Sequence, residues 1–247
     1  MKKLIPVFIK DFCKNSWANI SENIVSKKAK EKIIRDYKKN IPNISYSQEG
    51  EDLILQRILE QKPTGFYLDI GAHHPTRFSN TCIFYLKGWR GINIDAMPGS
   101  MKLFNELRER DINIEAAISD KKESLVYHSF NEPALNTFSK EEAHAKDGQN
   151  GYKIIEKINI HTRLLSDILN EYMPTNKSID FMNIDVEGLD LNVLRSNDWE
   201  KFKPSVIMIE AINLNLENLV ENEVYCFLKE KKYTLVAKTH NTLFFKN

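Results

Sequence analysis

Four apolar runs in this chain each close on an acid: GFYLDIG at Asp69, WRGINIDA at Asp95, SIDFMNID at Asp185 and PSVIMIEA at Glu210. Segments with helical spacing lie between them, and strands alternating with helices predict a mostly parallel sheet covered on both faces. An ionised carboxylate at the end of a buried strand is costly unless it gains partners. One such acid is explained by a helix cap. Four at successive strand ends predict a lined cleft, because open α/β sheets bind ligands outside the carboxyl ends of their strands.

The rest of the chain fits around these runs. SQEGEDLILQRILEQKP reads as a helix with Leu53, Ile54, Ile58 and Leu59 on its apolar face, stopped by Pro63. SNTCIFYLKG and PGSMKLFNELRERD read as helices, the first closed by Gly88, and INIEAAIS as a third strand. From about 123 to 163 the rhythm changes: ESLVYHSF and KIIEKINIHTR are strand-like, with a loop and a short helix between them, which predicts an insertion over the core that shapes an acceptor site. LLSDILNEY, LDLNVLRSNDW and one long segment, ENLVENEVYCFLKEKK, read as helices, and YTLVAKTHNTLFFKN as a hairpin adding an antiparallel edge strand.

Composition narrows the class. A net charge of +1, with 42% hydrophobic and 28% charged residues, gives no reason to expect a nucleic-acid partner. No apolar segment is long enough to span a bilayer, and the run after Met1 is broken at Lys10 and Asp11, so a cytoplasmic protein is expected. Residues 1–43 read as a helical, amphipathic extension ahead of a domain over 44–247; residues 1–40 carry eleven Lys/Arg against four Asp/Glu. That basic face reads as solvated, with a partner, an anionic surface or a homo-oligomer through these helices as the alternatives. Cys13, Cys82 and Cys226 have no metal-ligand spacing and read as packed thiols.

The spacing of the acids suggests a cofactor. Asp95 follows Asp69 by 26 residues, close to the ~20-residue offset at which a strand-end acid meets a ribose in dinucleotide folds. Gly71 permits close backbone approach. The glycine-rich turn that cradles a pyrophosphate is missing: Ala72, His73, His74, Pro75 and Thr76 follow Gly71. A nucleoside without a diphosphate is therefore the expected ligand.

SQEGEDLIL, FYLDIGAHHP, GINIDAMPGS, INIEAAISD, IDFMNIDVEGLDLNVL and SNDWEKFKPSVIMIEA together resemble the FkbM family of class I S-adenosylmethionine-dependent methyltransferases, over residues 44–212. The departure is His73-His74-Pro75, where the usual pattern has Asn and Gly. The resemblance implies a Rossmann-like, seven-stranded sheet. It places Asp69, Gly71 and Ala72 beside the methionine part of S-adenosylmethionine, Asp95 on the ribose, Ala96 and Met97 against the adenine, and Ala117, Ile118 and Ser119 on its other side. Gln48 and Glu51 fall near the cofactor's amino-acid end or the mouth of the site; a helix cap at Ser47 is the other reading of that segment.

Methyl transfer then requires an aligned acceptor and a base. Asp185 and Glu187 in DVEG are the leading acids, and His73 is a candidate base because imidazole titrates near neutrality. Asp185 with Glu210 could bind a divalent cation such as Mg²⁺; a metal-free site is the alternative. His74, Arg77, Asn136 and Thr137 are the expected substrate contacts, and Arg77 and Lys140 could meet a phosphate. Histidines 128, 144, 161 and 240 read as structural. The expected activity is O-methylation of a sugar hydroxyl, in a sugar nucleotide or a polysaccharide precursor. A nicotinamide-dependent oxidoreductase and a non-catalytic binding module are the competing classes.

Overall fold

The structure, a computed structural model, describes residues 44–212 and 214–247. The expected N-terminal helical extension, Cys13 and any oligomer built through that extension lie outside the described residues. Ser45–Asn247 form one compact unit. In chain order its elements are α1 (Glu51–Ile58), β1 (Phe66–Ile70), α2 (Cys82–Leu86), β2 (Arg90–Asp95), α3 (Met101–Leu107), β3 (Ile112–Glu115), β4 (Ala117–Ile118) and β5 (Ser124–Phe130). Then come α4 (Lys140–Lys146), β6 (Ile154–Arg163), α5 (Leu165–Tyr172), β7 (Phe181–Ile184), α6 (Asp190–Arg195), β8 (Val206–Glu210), α7 (Glu223–Glu230), β9 (Thr234–Lys238) and β10 (Thr242–Lys246).

Seven strands form the main sheet in the order β3-β2-β1-β7-β8-β10-β9. The first five are parallel, and β10 runs antiparallel between β8 and β9. The hairpin therefore contributes two strands, with β9 at the edge. The chain steps outward from β1 through β2 to β3 and then returns to the other side of β1 with β7. The connectivity reverses between β1 and β7, and a cleft opens there.

The period-2 pattern of the strands sends alternate residues to opposite faces. Leu68, Ile70, Ile207 and Ile209 pack with Leu165, Ile168, Val193, Leu194 and Leu228 from α5, α6 and α7. Tyr67, Val206, Met208 and Phe244 pack on the opposite face with Leu55 of α1 and Phe84 of α2. Helices thus cover both faces, as the sequence predicts.

Three expectations need correction. In α1 the buried residues are Glu51, Asp52, Leu55 and Gln56, while Leu53, Ile54, Ile58 and Leu59 are only partly covered. Asp52 is drawn inward because its carboxylate accepts from the Tyr46 N–H and from the Ser45 and Ser47 hydroxyls, and Gly50, at φ +83°, occupies the N-cap. The INIEAAIS strand breaks at Ala116: β3 stays in the main sheet, whereas β4 joins β6 and β5 in a separate three-stranded sheet. The long helix after residue 215 is two pieces, a 3-10 segment over Leu216–Glu221 and α7, with Asn222 capping the latter.

Candidate active site

The cleft lies over the carboxyl ends of β1, β2, β7 and β8, and the insertion between β4 and α5 roofs it. Six carboxylates line it, those of Glu51, Asp69, Asp95, Asp185, Glu187 and Glu210, and no lysine or arginine is among its described lining residues. The four strand-end acids are brought together by the parallel register, which sets Asp69 level with Asn93 on one side and Asn183 on the other.

Asp69 is buried, and both its oxygens are engaged: the Thr81 hydroxyl donates to one at 2.7 Å and the Asn183 amide to the other at 2.8 Å. Burial pushes its carboxyl above the usual range, while these two bonds and the charge of Arg108 draw it back. Asp95 accepts from the backbone N–H of Met97 at 2.8 Å and of His73 at 2.9 Å, so it ties down the loop after β1. Burial raises its carboxyl as well. The glycine at 71 serves a neighbouring strand: a Cβ there would lie 1.7 Å from the Asp185 carbonyl oxygen, so it lets β1 and β7 end side by side, besides lining the cleft.

At the far end, Asp185, Glu187 and Glu210 offer carboxylate oxygens all within 4.8 Å of one another. Desolvation, together with the neighbouring acids, pushes Asp185 and Glu210 well up, since carboxylates this close cannot all ionise without a cation or a shared proton. Glu187 sits in the left-handed region at φ +50°. Its carboxylate accepts from Lys146 at 3.0 Å and its backbone carbonyl from the Thr137 hydroxyl at 2.7 Å. The insertion is thereby latched to the DVEG turn.

Of the residues expected at the site, Gln48, Glu51, Asp69, Gly71, Ala72, His73, Asp95, Ala96, Ile118, Asn136, Asp185, Glu187 and Glu210 line the cleft. His73 has φ +53° and a buried Nε2 with no partner; burial, then Arg77 and His74, lower its pKa, which keeps it neutral.

The others lie elsewhere. Met97 does not face the cleft; its sulfur accepts from Asn136 at 3.4 Å. Ala117 and Ser119 are buried away from it, because the alternation of β4 presents Ala116 and Ile118 instead. His74 closes a turn, its Nδ1 accepting from the N–H groups of Thr76 and Arg77. Arg77 is paired with Glu132 at 2.9 Å. Thr137 is fully buried in its bond to Glu187.

Several cleft residues escaped the sequence reading. Asn183 and Asn80 form a chain on the wall: Asn80 donates to Asn183 at 3.1 Å and keeps a buried, unpartnered Oδ1. Tyr127 and Phe138 of the insertion and Phe78 supply aromatic surface. The signal for Asn183 was available, since a polar residue inside an apolar strand must be compensated. Asn80 and the aromatics carry no such mark.

The sheet order and the cleft at its switch point define an open α/β fold with its ligand site at the carboxyl ends of the strands. Residues 69–235 match the family model of the methyltransferase FkbM domain, and the chain belongs to that family. It is a methyltransferase. The segment that contributes Gln48 and Glu51 precedes the matched range. No curated protein matches the chain significantly. No helix among the described residues is long and apolar enough to cross a membrane.

The family implies S-adenosylmethionine, and the cleft fits it. That cofactor carries a sulfonium and an ammonium, which suit six carboxylates and the unpartnered Asn80 carbonyl. Ala96, Ala116 and Ile118 offer an apolar end for the adenine beside Asp95.

Proposed function

We propose that this protein transfers a methyl group from S-adenosylmethionine to a hydroxyl of a sugar. The observation that carries the reading is the carboxylate group Asp185, Glu187 and Glu210 at the end of the cofactor cleft, under the insertion. When bound, S-adenosylmethionine supplies an activated methyl on its sulfonium. The chain's own residues align the acceptor and receive its proton.

Burial and mutual repulsion raise both the Asp185 and Glu210 carboxyls, which makes the pair a proton acceptor for the incoming hydroxyl. Lys146 and the Thr137 hydroxyl hold Glu187 in place. His73, neutral and with Nε2 unpartnered, is a second proton acceptor on the cleft wall. The same carboxylates offer hard oxygen donors for a divalent cation such as Mg²⁺, which would acidify the acceptor hydroxyl.

Aromatic surface from Tyr127 and Phe138 with the amide of Asn241 suits an uncharged polyol ring. Because no lysine or arginine is among the described residues lining the cleft and Arg77 is committed to Glu132, the phosphates of a nucleotide-linked sugar belong outside it. A polysaccharide precursor or a sugar nucleotide entering sugar-first meets these terms.

The test is transfer of labelled methyl from S-adenosylmethionine to a panel of neutral sugars, sugar nucleotides and polysaccharides, with and without EDTA. Label is expected in the sugar, with a loss of about 10²-fold or more in Asp185→Asn. Loss of activity in EDTA with recovery on Mg²⁺ addition assigns the carboxylates to a metal; full activity in EDTA assigns them to proton transfer. Failure of S-adenosylhomocysteine to bind by calorimetry overturns the cofactor reading.

A further inference from the structure

Arg108 follows α3 and is 1% exposed, the only arginine among the fully buried side chains of the described residues. It is packed against the rings of Tyr85, Phe104 and Tyr67. Asp111 pairs with its Nε at 3.4 Å and also accepts from the Tyr67 hydroxyl at 2.5 Å. The other end of the guanidinium donates to the Thr81 Oγ1 at 2.5 Å. Thr81 is fully buried, and its hydroxyl lies 2.7 Å from Asp69 on the cleft wall. A buried cation thus stands two hydrogen bonds behind the ligand site, where it touches no ligand.

The direction of these bonds follows from their chemistry. A guanidinium only donates, so the Thr81 oxygen accepts from Arg108, and its single hydrogen is left for Asp69. The Asn183 amide occupies the other Asp69 oxygen. With a donor on each oxygen, Asp69 is fixed in rotamer and favoured as an anion against the cost of its burial. Asn80, joined to Asp69 through Asn183, keeps an unpartnered carbonyl oxygen on the same wall, and no lysine or arginine is among the cleft's described lining residues, which suits an ammonium.

We propose that Arg108 and Thr81 are positioning residues: they direct the Thr81 hydrogen onto Asp69 and so hold that carboxylate in place for the ammonium group at the amino-acid end of S-adenosylmethionine. The inference rests on the cofactor reading above. Arg108→Met leaves Asp111 buried without its partner and risks misfolding, so the decisive variants are at Thr81. Thr81→Val keeps the shape and removes the hydroxyl; Thr81→Ser keeps the hydroxyl.

Calorimetry with S-adenosylmethionine and with adenosine, which lacks the amino-acid end, reads the effect. Thr81→Val is expected to weaken S-adenosylmethionine about ten-fold, the scale of one hydrogen bond to a charged group, with adenosine changed by less than about two-fold; Thr81→Ser should bind both ligands as the wild type does. The proposal is overturned if Thr81→Val binds S-adenosylmethionine as the wild type does, if both ligands weaken equally, or if serine fails as badly as valine. A wild-type protein that binds neither ligand overturns the cofactor reading instead.

Discussion

Gly71 shows how one residue couples two strands. It has φ +80°, and an added Cβ would meet the Asp185 carbonyl oxygen at 1.7 Å, a backbone atom that cannot step aside without parting β1 from β7. Gly71→Ala is therefore expected to cost about 3 kcal/mol or more, from the clash together with the left-handed backbone, read as a lower midpoint in urea denaturation. The sequence marks this glycine as a site of close approach, yet the group that approaches is Asp185 of the same chain. The same limit applies to the strand-end acids. Their types and spacing are legible, but the partners of Asp69, namely Thr81 and Asn183, lie 12 and 114 positions away and are found only by the pairing of strands and helices. His74 and Arg77 look like substrate contacts in sequence; local turn bonds and Glu132 consume them.

Among the elements, the helix pair at the C-terminal end was the least legible. ENLVENEVYCFLKEKK has continuous helical propensity, but the chain turns at Asn222, whose side-chain oxygen accepts from the Tyr225 N–H at 2.8 Å and starts α7 afresh. Asn222→Ala should cost about 1 kcal/mol, a fall of roughly 2–4 °C in Tm by thermal denaturation. An asparagine inside a helical pattern is ambiguous between cap and interior, and packing of Leu228 against the sheet chooses the register. In α1 Ile54, Ile58 and Leu59 pack on the core as the hydrophobic pattern predicts, but the same face also buries Asp52, whose three local donors make its burial favourable. The strands, as short apolar runs buried on both faces, were read correctly except where β4 leaves the main sheet.

The whole molecule gathers more negative charge at one site than an isolated sheet would tolerate, and its stability should depend on pH accordingly. At Asp190, the first residue of α6, burial outweighs the bonds from Val186 and Gly188, and the Glu187 charge adds to it, pushing the carboxyl up to about 6. An ordinary Asp titrates at 3.8. Between these values the native state binds more protons than the unfolded chain, so stability falls as pH rises through that window. The ligand-free Tm is expected to be lower at about pH 7.5 than at about pH 4.5, with a flatter profile in Asp190→Asn, measured by differential scanning fluorimetry. A profile unchanged by that substitution removes Asp190 as the cause.

By itself the sequence determined the alternating architecture and the acids that crown its strands, because periodicity and composition are local properties of the chain. Only the tertiary structure decided which carboxylates stand together, which threonine and arginine stand behind Asp69, and how the insertion latches onto Glu187. Those contacts join residues far apart in the chain, and their energies depend on burial and distance, which no linear pattern encodes.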